Sequence, residues 1–245
     1  MQTQTVPRIA LPRRSFVLVF LDRYFYFSMS LLTIAVVAYG FSHTVERNLI
    51  HPAVPKPFLL YIHAAVFTGW LGFFALQSAL VRTRNVRWHR RIGWVGLAMG
   101  VSVFLVGVAT SLTMARFNRD VMHKPGSEAF LMVPLWDMIC FGTAFGLAIF
   151  WRKKPEYHRR LVLIATCALT AAGFGRFPQL PGGSFYAGVD ALILLGVARD
   201  WFVNRRVHTV YLYSLPLIAA GQILVIVTVI RQLHYWIAIA NRLIG

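Results

Sequence analysis

A handful of side chains in this sequence have the types and spacing to do chemistry. Gln77 follows His63 by 14 residues, which at roughly 100° per residue puts it about 40° off the same helical face. Arg176 follows His158 by 18 residues, five whole turns, so these two share a face as well. Two such faces opposed across a helical bundle would make a polar track. His89 and His158 sit in matching quartets, Trp88-His89-Arg90-Arg91 and Tyr157-His158-Arg159-Arg160, 69 residues apart. Two histidines at one depth on neighbouring helices are the ligand set of a b-type haem. Both also lie beside two arginines at a helix start, where histidine is commonly an ordinary interfacial residue, and on sequence alone that plainer reading is preferred.

Asp137 and Asp190 lie inside apolar runs. An ionisable group at membrane depth is costly unless paired or hydrated, so each is a candidate site residue. Together with His63 they could bind a metal, but no HxxxH or ExxH spacing supports it. An Asp137–Arg176 pair near His63 would either line a ligand cavity or clamp two helices together. Proton or solute transfer along the track is a further class, with Pro134, Pro178, Pro181 and Pro216 as modest hints of broken helices. Cys140 and Cys167 lie in apolar runs and read as small buried hydrophobes rather than a disulfide. No phosphate loop, nucleophile elbow or carboxylate dyad is visible, so the sequence leans away from an enzyme.

The elements that must position these residues follow from composition. Of 245 residues, 58% are hydrophobic and 13% charged, with a mean hydropathy of +0.61. A soluble protein of this size cannot hide that much apolar surface, so the surplus must face lipid. Seven apolar stretches are long enough to cross a bilayer of roughly 30 Å, at residues 24–41, 58–81, 92–115, 130–151, 161–177, 185–203 and 210–230. The fifth is the shortest. Residues 16–21 are too short to span and are expected to lie along the interface, as is a helix over 232–245. No small-residue cleavage site follows the first run, so it is expected to be retained.

Lys and Arg outnumber Asp and Glu by 25 to 8. In a soluble chain that would suggest nucleic acid, but the cations cluster in short gaps between apolar runs. Loops on one side hold 17 of them and the other side 8, which places the N-terminus in the cytoplasm and the C-terminus on the far side of the membrane. The expected partners are the bilayer and other membrane subunits, with no nucleic acid. The paired quartets imply a parallel repeat of two hairpins. The expected fold is therefore all-α, a single polytopic domain over 1–245. Its core is a pseudo-twofold four-helix bundle at 58–178 (hairpins 58–115 and 130–178), with 1–57 and 185–245 peripheral.

The order His63, Gln77, then Trp88-His89-Arg90-Arg91-Ile92-Gly93, followed by His158-Arg159-Arg160 and Arg176, resembles a family of bacterial multi-pass membrane proteins known only as a domain of unknown function. The resemblance covers about half the chain. It implies that His63, Gln77, His89, His158 and Arg176 belong to one constellation, and it transfers no activity. Two functional classes follow. One is a non-catalytic subunit of a larger membrane complex, slightly favoured by the short loops. The other is a membrane redox or ligand-binding protein with b-type haem as the first cofactor to test. A small-solute or proton transporter is third.

Overall fold

The computed structural model describes residues 15–181 and 183–245, apart from the side chain of Phe16. Within them the chain is helical, with no strand among the described residues. Its helices are α1 Phe16–Ser42, α2 Phe58–Arg82, α3 Val86–Asp120, α4 Ser127–Phe130, α5 Met132–Phe150, α6 Pro155–Ala168, α7 Ala171–Phe174, α8 Phe185–Asn204, α9 Thr209–Arg231 and α10 His234–Ile244. A single π-helical turn at Glu46–Ile50 follows α1.

Five helical segments are long and apolar enough to cross a membrane: Val17–Ser42, Phe58–Arg82, Val86–Asp120, Ser127–Phe150 and Thr209–Arg231. Helix α1 absorbs residues 16–21, where a separate interfacial segment is expected. Ser15 starts it by accepting a hydrogen bond from the Leu18 amide at 3.4 Å, so the apolar stretch runs on without a break. Helix α3 outruns its apolar part at both ends, into Arg87, Arg90 and Arg91 at one and Arg116 and Arg119 at the other.

The fifth and sixth expected spans differ from the rest. Residues 161–177 do not form one helix. Helix α6 begins early, with Pro155 in its first turn, and the chain breaks at Leu169–Thr170 before the four-residue α7. At 1.5 Å per residue, 14 residues rise about 21 Å. Helix α8 is 20 residues long but carries Asp190, Arg199 and Asp200. The physical reason lies in the surroundings, because α6 faces protein rather than lipid. Eight of its residues are buried, and α1, α5, α8 and α9 pack around it. Trp70 of α2 reaches it through an Nε1–H bond to Thr166 Oγ1 at 3.3 Å. A helix enclosed in this way does not need a continuous apolar surface.

The outer helices show lipid-facing side chains such as Trp94, Leu105, Leu217, Ile223 and Ile230. Inside, small residues let backbones approach, since lipid itself offers no hydrophobic force to press helices together. Gly40 of α1 lies against the Gly173 carbonyl of α7, where any Cβ would collide with it. Helix α10 closes one end by packing on α3 and α4. Trp236 Nε1 donates to the Glu128 carbonyl at 3.0 Å, and Arg119 donates to the Gly245 carbonyl at 2.9 Å.

Candidate functional site

The ends of α2 and α5 and the starts of α3 and α6 meet at one end of the bundle, termed here the basic end. His89 sits in the first turn of α3 and His158 in the first turn of α6, so the two matched quartets bring their histidines together. The ring centroids are 6.4 Å apart and the planes 73° apart. His158 Nδ1 donates to the Ala148 carbonyl oxygen of α5 at 2.9 Å, which fixes its tautomer and leaves Nε2 as the free acceptor. His89 lies against the backbone of Gln77, and its Nδ1 is buried without a partner. Other buried polar atoms unpartnered among the described residues gather at this end: Gln77 Oε1, Arg82 Nε, Arg159 Nε and Tyr26 Oη. Native interiors leave few such atoms, so a concentration of them marks a place with hydrogen-bonding capacity to spare.

Beside the histidines is an ion-pair network that the sequence reading passed over. Arg160 grips Asp200 with two bonds, Nε–H to Oδ2 at 2.7 Å and Nη2–H to Oδ1 at 2.6 Å, and both side chains are 1% exposed. Arg199 donates to Asp22 at 2.6 Å and to Asp200 at 3.1 Å. Glu156 accepts from both Arg159 and Arg160. Helices α1, α6 and α8 are thereby tied at one level. Burial works against the Glu156 carboxylate, yet the guanidinium groups of Arg160 and Arg159 outweigh it and hold the group below the usual glutamate range. Arg160 and Arg199 read in the sequence as orientation signals. The available hint was that Asp22 and Asp200, two of only 8 acidic residues, each adjoin an arginine in the chain.

Where α9 begins, His208 Nδ1 accepts a hydrogen bond from the Val210 amide at 3.2 Å and so caps the helix. Its ring meets Tyr157 edge-on at 4.6 Å. Burial and then the charge of Arg160 lower its pKa below the ordinary histidine value, which suits a cap that must accept through Nδ1.

The remaining expected site residues lie toward the opposite end. His63 stacks on Phe67 at 3.8 Å, with Nδ1 unpartnered. Arg176 follows α7. It donates from Nε to Thr44 Oγ1 at 3.2 Å, donates also to the Ala172 carbonyl, and lies over the Phe41 ring. Its guanidinium thus turns to the end of α1 and its own element, and it is not among the groups that act on Asp137. Asp137 instead stands beside Tyr186 of α8, and Asp190 accepts from Gln222 Nε2 of α9 at 3.0 Å. No group of three or more His, Cys, Asp or Glu among the described residues could hold a metal ion. The five constellation residues therefore divide, with Gln77, His89 and His158 at the basic end and His63 and Arg176 away from them. The chain matches no family model, no curated protein and no solved structure.

Proposed function

We propose that this chain is a membrane redox or ligand-binding protein in which His89 and His158 would hold a b-type haem. The observation that carries this is the spacing of the pair. A metal–nitrogen bond of about 2 Å plus about 1 Å from nitrogen to ring centre puts two imidazoles on opposite sides of one ion about 6 Å apart, against 6.4 Å between these rings. Metal-bound histidines commonly give their other N–H to a backbone carbonyl, as His158 does to Ala148. Arg90 and Arg159 adjoin the two histidines in sequence and would offer cations to the acidic side chains of a macrocycle. Haem would supply one-electron or ligand-binding chemistry, and the protein would supply ligands, charge and a low-dielectric wall.

The architecture that goes with this reading has seven crossings, α6–α7 and α8 adding two to the five apolar helices. The hairpins at 58–115 and 130–178 are related by a pseudo-twofold axis. The chain belongs in a bacterial inner membrane, with the basic end in the cytoplasm. The resemblance to the domain-of-unknown-function family supports the same grouping of His89 and His158.

The test is a dithionite-reduced minus oxidised visible spectrum of purified protein, with haem quantified by pyridine haemochrome. A haem-bearing protein that loses its Soret band in both His89→Ala and His158→Ala is the expected result. No stoichiometric haem in the purified wild type, or a spectrum unchanged in either variant, sinks the reading. A second reading, a non-catalytic subunit of a larger complex, draws on the Arg160–Asp200–Arg199 network, whose ion pairs lock helices together. A colourless protein that purifies with stoichiometric partner subunits would favour it.

A further inference from the structure

The opposite half of the bundle holds a second polar cluster, with a different chemistry. Asp137 lies a turn and a half into α5 and Asp190 a turn and a half into α8, each about 7.5 Å along its helix. Cys140, one turn on from Asp137, is within electrostatic reach of both carboxylates, so α5 and α8 present them to one region. The groups facing them are Cys140 from α5, Tyr186 from α8 and Gln222 from α9. Among the described residues neither carboxylate forms an ion pair, and no basic side chain acts on either. Asp200 shows how the same molecule treats a carboxylate it means only to anchor, gripping it with both Arg160 and Arg199.

The Tyr186 side chain is only 4% exposed and stands close enough to Asp137 to act on it, yet its hydroxyl completes no hydrogen bond of normal geometry among the described residues. A buried hydroxyl left short of its obvious acceptor has donor and acceptor capacity in reserve. Acidic residues with no cationic partner at membrane depth are the usual markers of proton or ion pathways.

We propose that Asp137 and Asp190 form a proton-binding carboxyl pair between α5, α8 and α9, walled by Tyr186 and Gln222. The site takes up one proton from water at the opposite end of the bundle and returns it. In the ionised state Tyr186 donates to Asp137; in the protonated state the new carboxyl O–H donates and the tyrosine oxygen accepts. Gln222 serves Asp190 in either state, since its amide N–H needs only one of the two carboxylate oxygens. A proton fits this set better than a metal cation. Gln222 turns a donor, not its carbonyl, toward the pair, and the described residues offer no three-ligand group.

The experiment treats the purified full chain in detergent with dicyclohexylcarbodiimide, which adds to protonated carboxyls in apolar surroundings. Adducts are then located by mass spectrometry across a pH series. The expected result is an adduct on Asp137 or Asp190 that disappears as pH rises, and a pH profile displaced in Tyr186→Phe. Asp137→Glu keeps the carboxyl and the adduct, which guards against an Asp137→Asn protein that loses labelling by failing to fold. Absence of label at both positions throughout the series overturns the proposal. So does pH-independent labelling. Labelling suppressed by sodium or potassium chloride, but not by choline chloride at equal strength, replaces the proton with a metal cation and overturns it equally. The readout is the same with or without haem, so its failure leaves the histidine reading standing.

Discussion

At the scale of single residues, the basic end contains two kinds of charge that look alike in the sequence. Arg159 and Arg160 are neighbours, but Arg160 is fully buried against Asp200, while Arg159 stays partly open. Removing one partner of a buried pair leaves a bare charge, which typically costs about 3–5 kcal/mol. Arg160→Met is therefore expected to lower the unfolding temperature in detergent by several degrees, and Arg160→Met with Asp200→Asn to recover part of the loss. Arg159→Met should leave the melt nearly unchanged, and equal losses in the two single variants would contradict the network's burial. His208 gives a pH signature. Its folded pKa is lowered, so its cap on α9 contributes fully above the ordinary histidine value of about 6.5 and is lost as pH falls through the depressed value. Asn caps helices without titrating. His208→Asn should flatten the decline of stability in mildly acid solution, whereas an unchanged pH profile would mean that another group sets it. The histidine pairing was legible because it rests on a repeat of four residues. The partners of Arg160 were not, since two acids far along the chain reach it only through the packing of α1, α6 and α8.

Helices succeed or fail here according to what they face. Those that face lipid are uniformly apolar over most of their length, which made α1, α2, α3, α5 and α9 readable from hydropathy alone. Helix α6 ends in a break because protein surrounds it, and α8 carries Asp190, Arg199 and Asp200 because each pairs with a neighbouring helix; periodicity has no signal for either. The close approach of α1 and α7 depends on Gly40, where a Cβ would strike the Gly173 carbonyl. Since that obstacle is backbone, no rotamer change relieves it, and overpacking of this kind costs about 1–3 kcal/mol. Gly40→Leu should lower the melting temperature and displace α7, and with it the Arg176–Thr44 bond. Gly72 makes the control, because a Cβ there meets nothing within 4 Å, and Gly72→Ala should melt like the wild type. Equal effects at the two glycines would remove the argument for a tight α1–α7 contact.

For the molecule as a whole, the number of crossings decides which groups share a compartment. Five spans and seven spans both put the two ends of the chain on opposite sides, so locating the termini separates nothing. The segment between α7 and α8 does. If α6–α7 and α8 cross, Ser184 emerges at the same surface as His123, beyond α3. If they fold back instead, Ser184 stays with Arg84 at the basic end. The ion network favours crossing: Asp200 and Arg160 meet at the basic end, while Asp190, ten residues earlier in an unbroken α8, lies about 15 Å further along the axis. The rise of α8 alone, about 30 Å over 20 residues, matches the hydrocarbon thickness. A membrane-impermeant maleimide applied to intact cells reads the answer in a Cys140→Ala, Cys167→Ala background. Ser184→Cys and His123→Cys should label from outside, and Arg84→Cys only after lysis. Protection of Ser184→Cys in intact cells would reduce the spans to five. Asp137 would stay near the outer end of α5, which crosses in either case, while Asp190 moved with α8 to the basic end, so the carboxyl pair would fall together with the two extra spans.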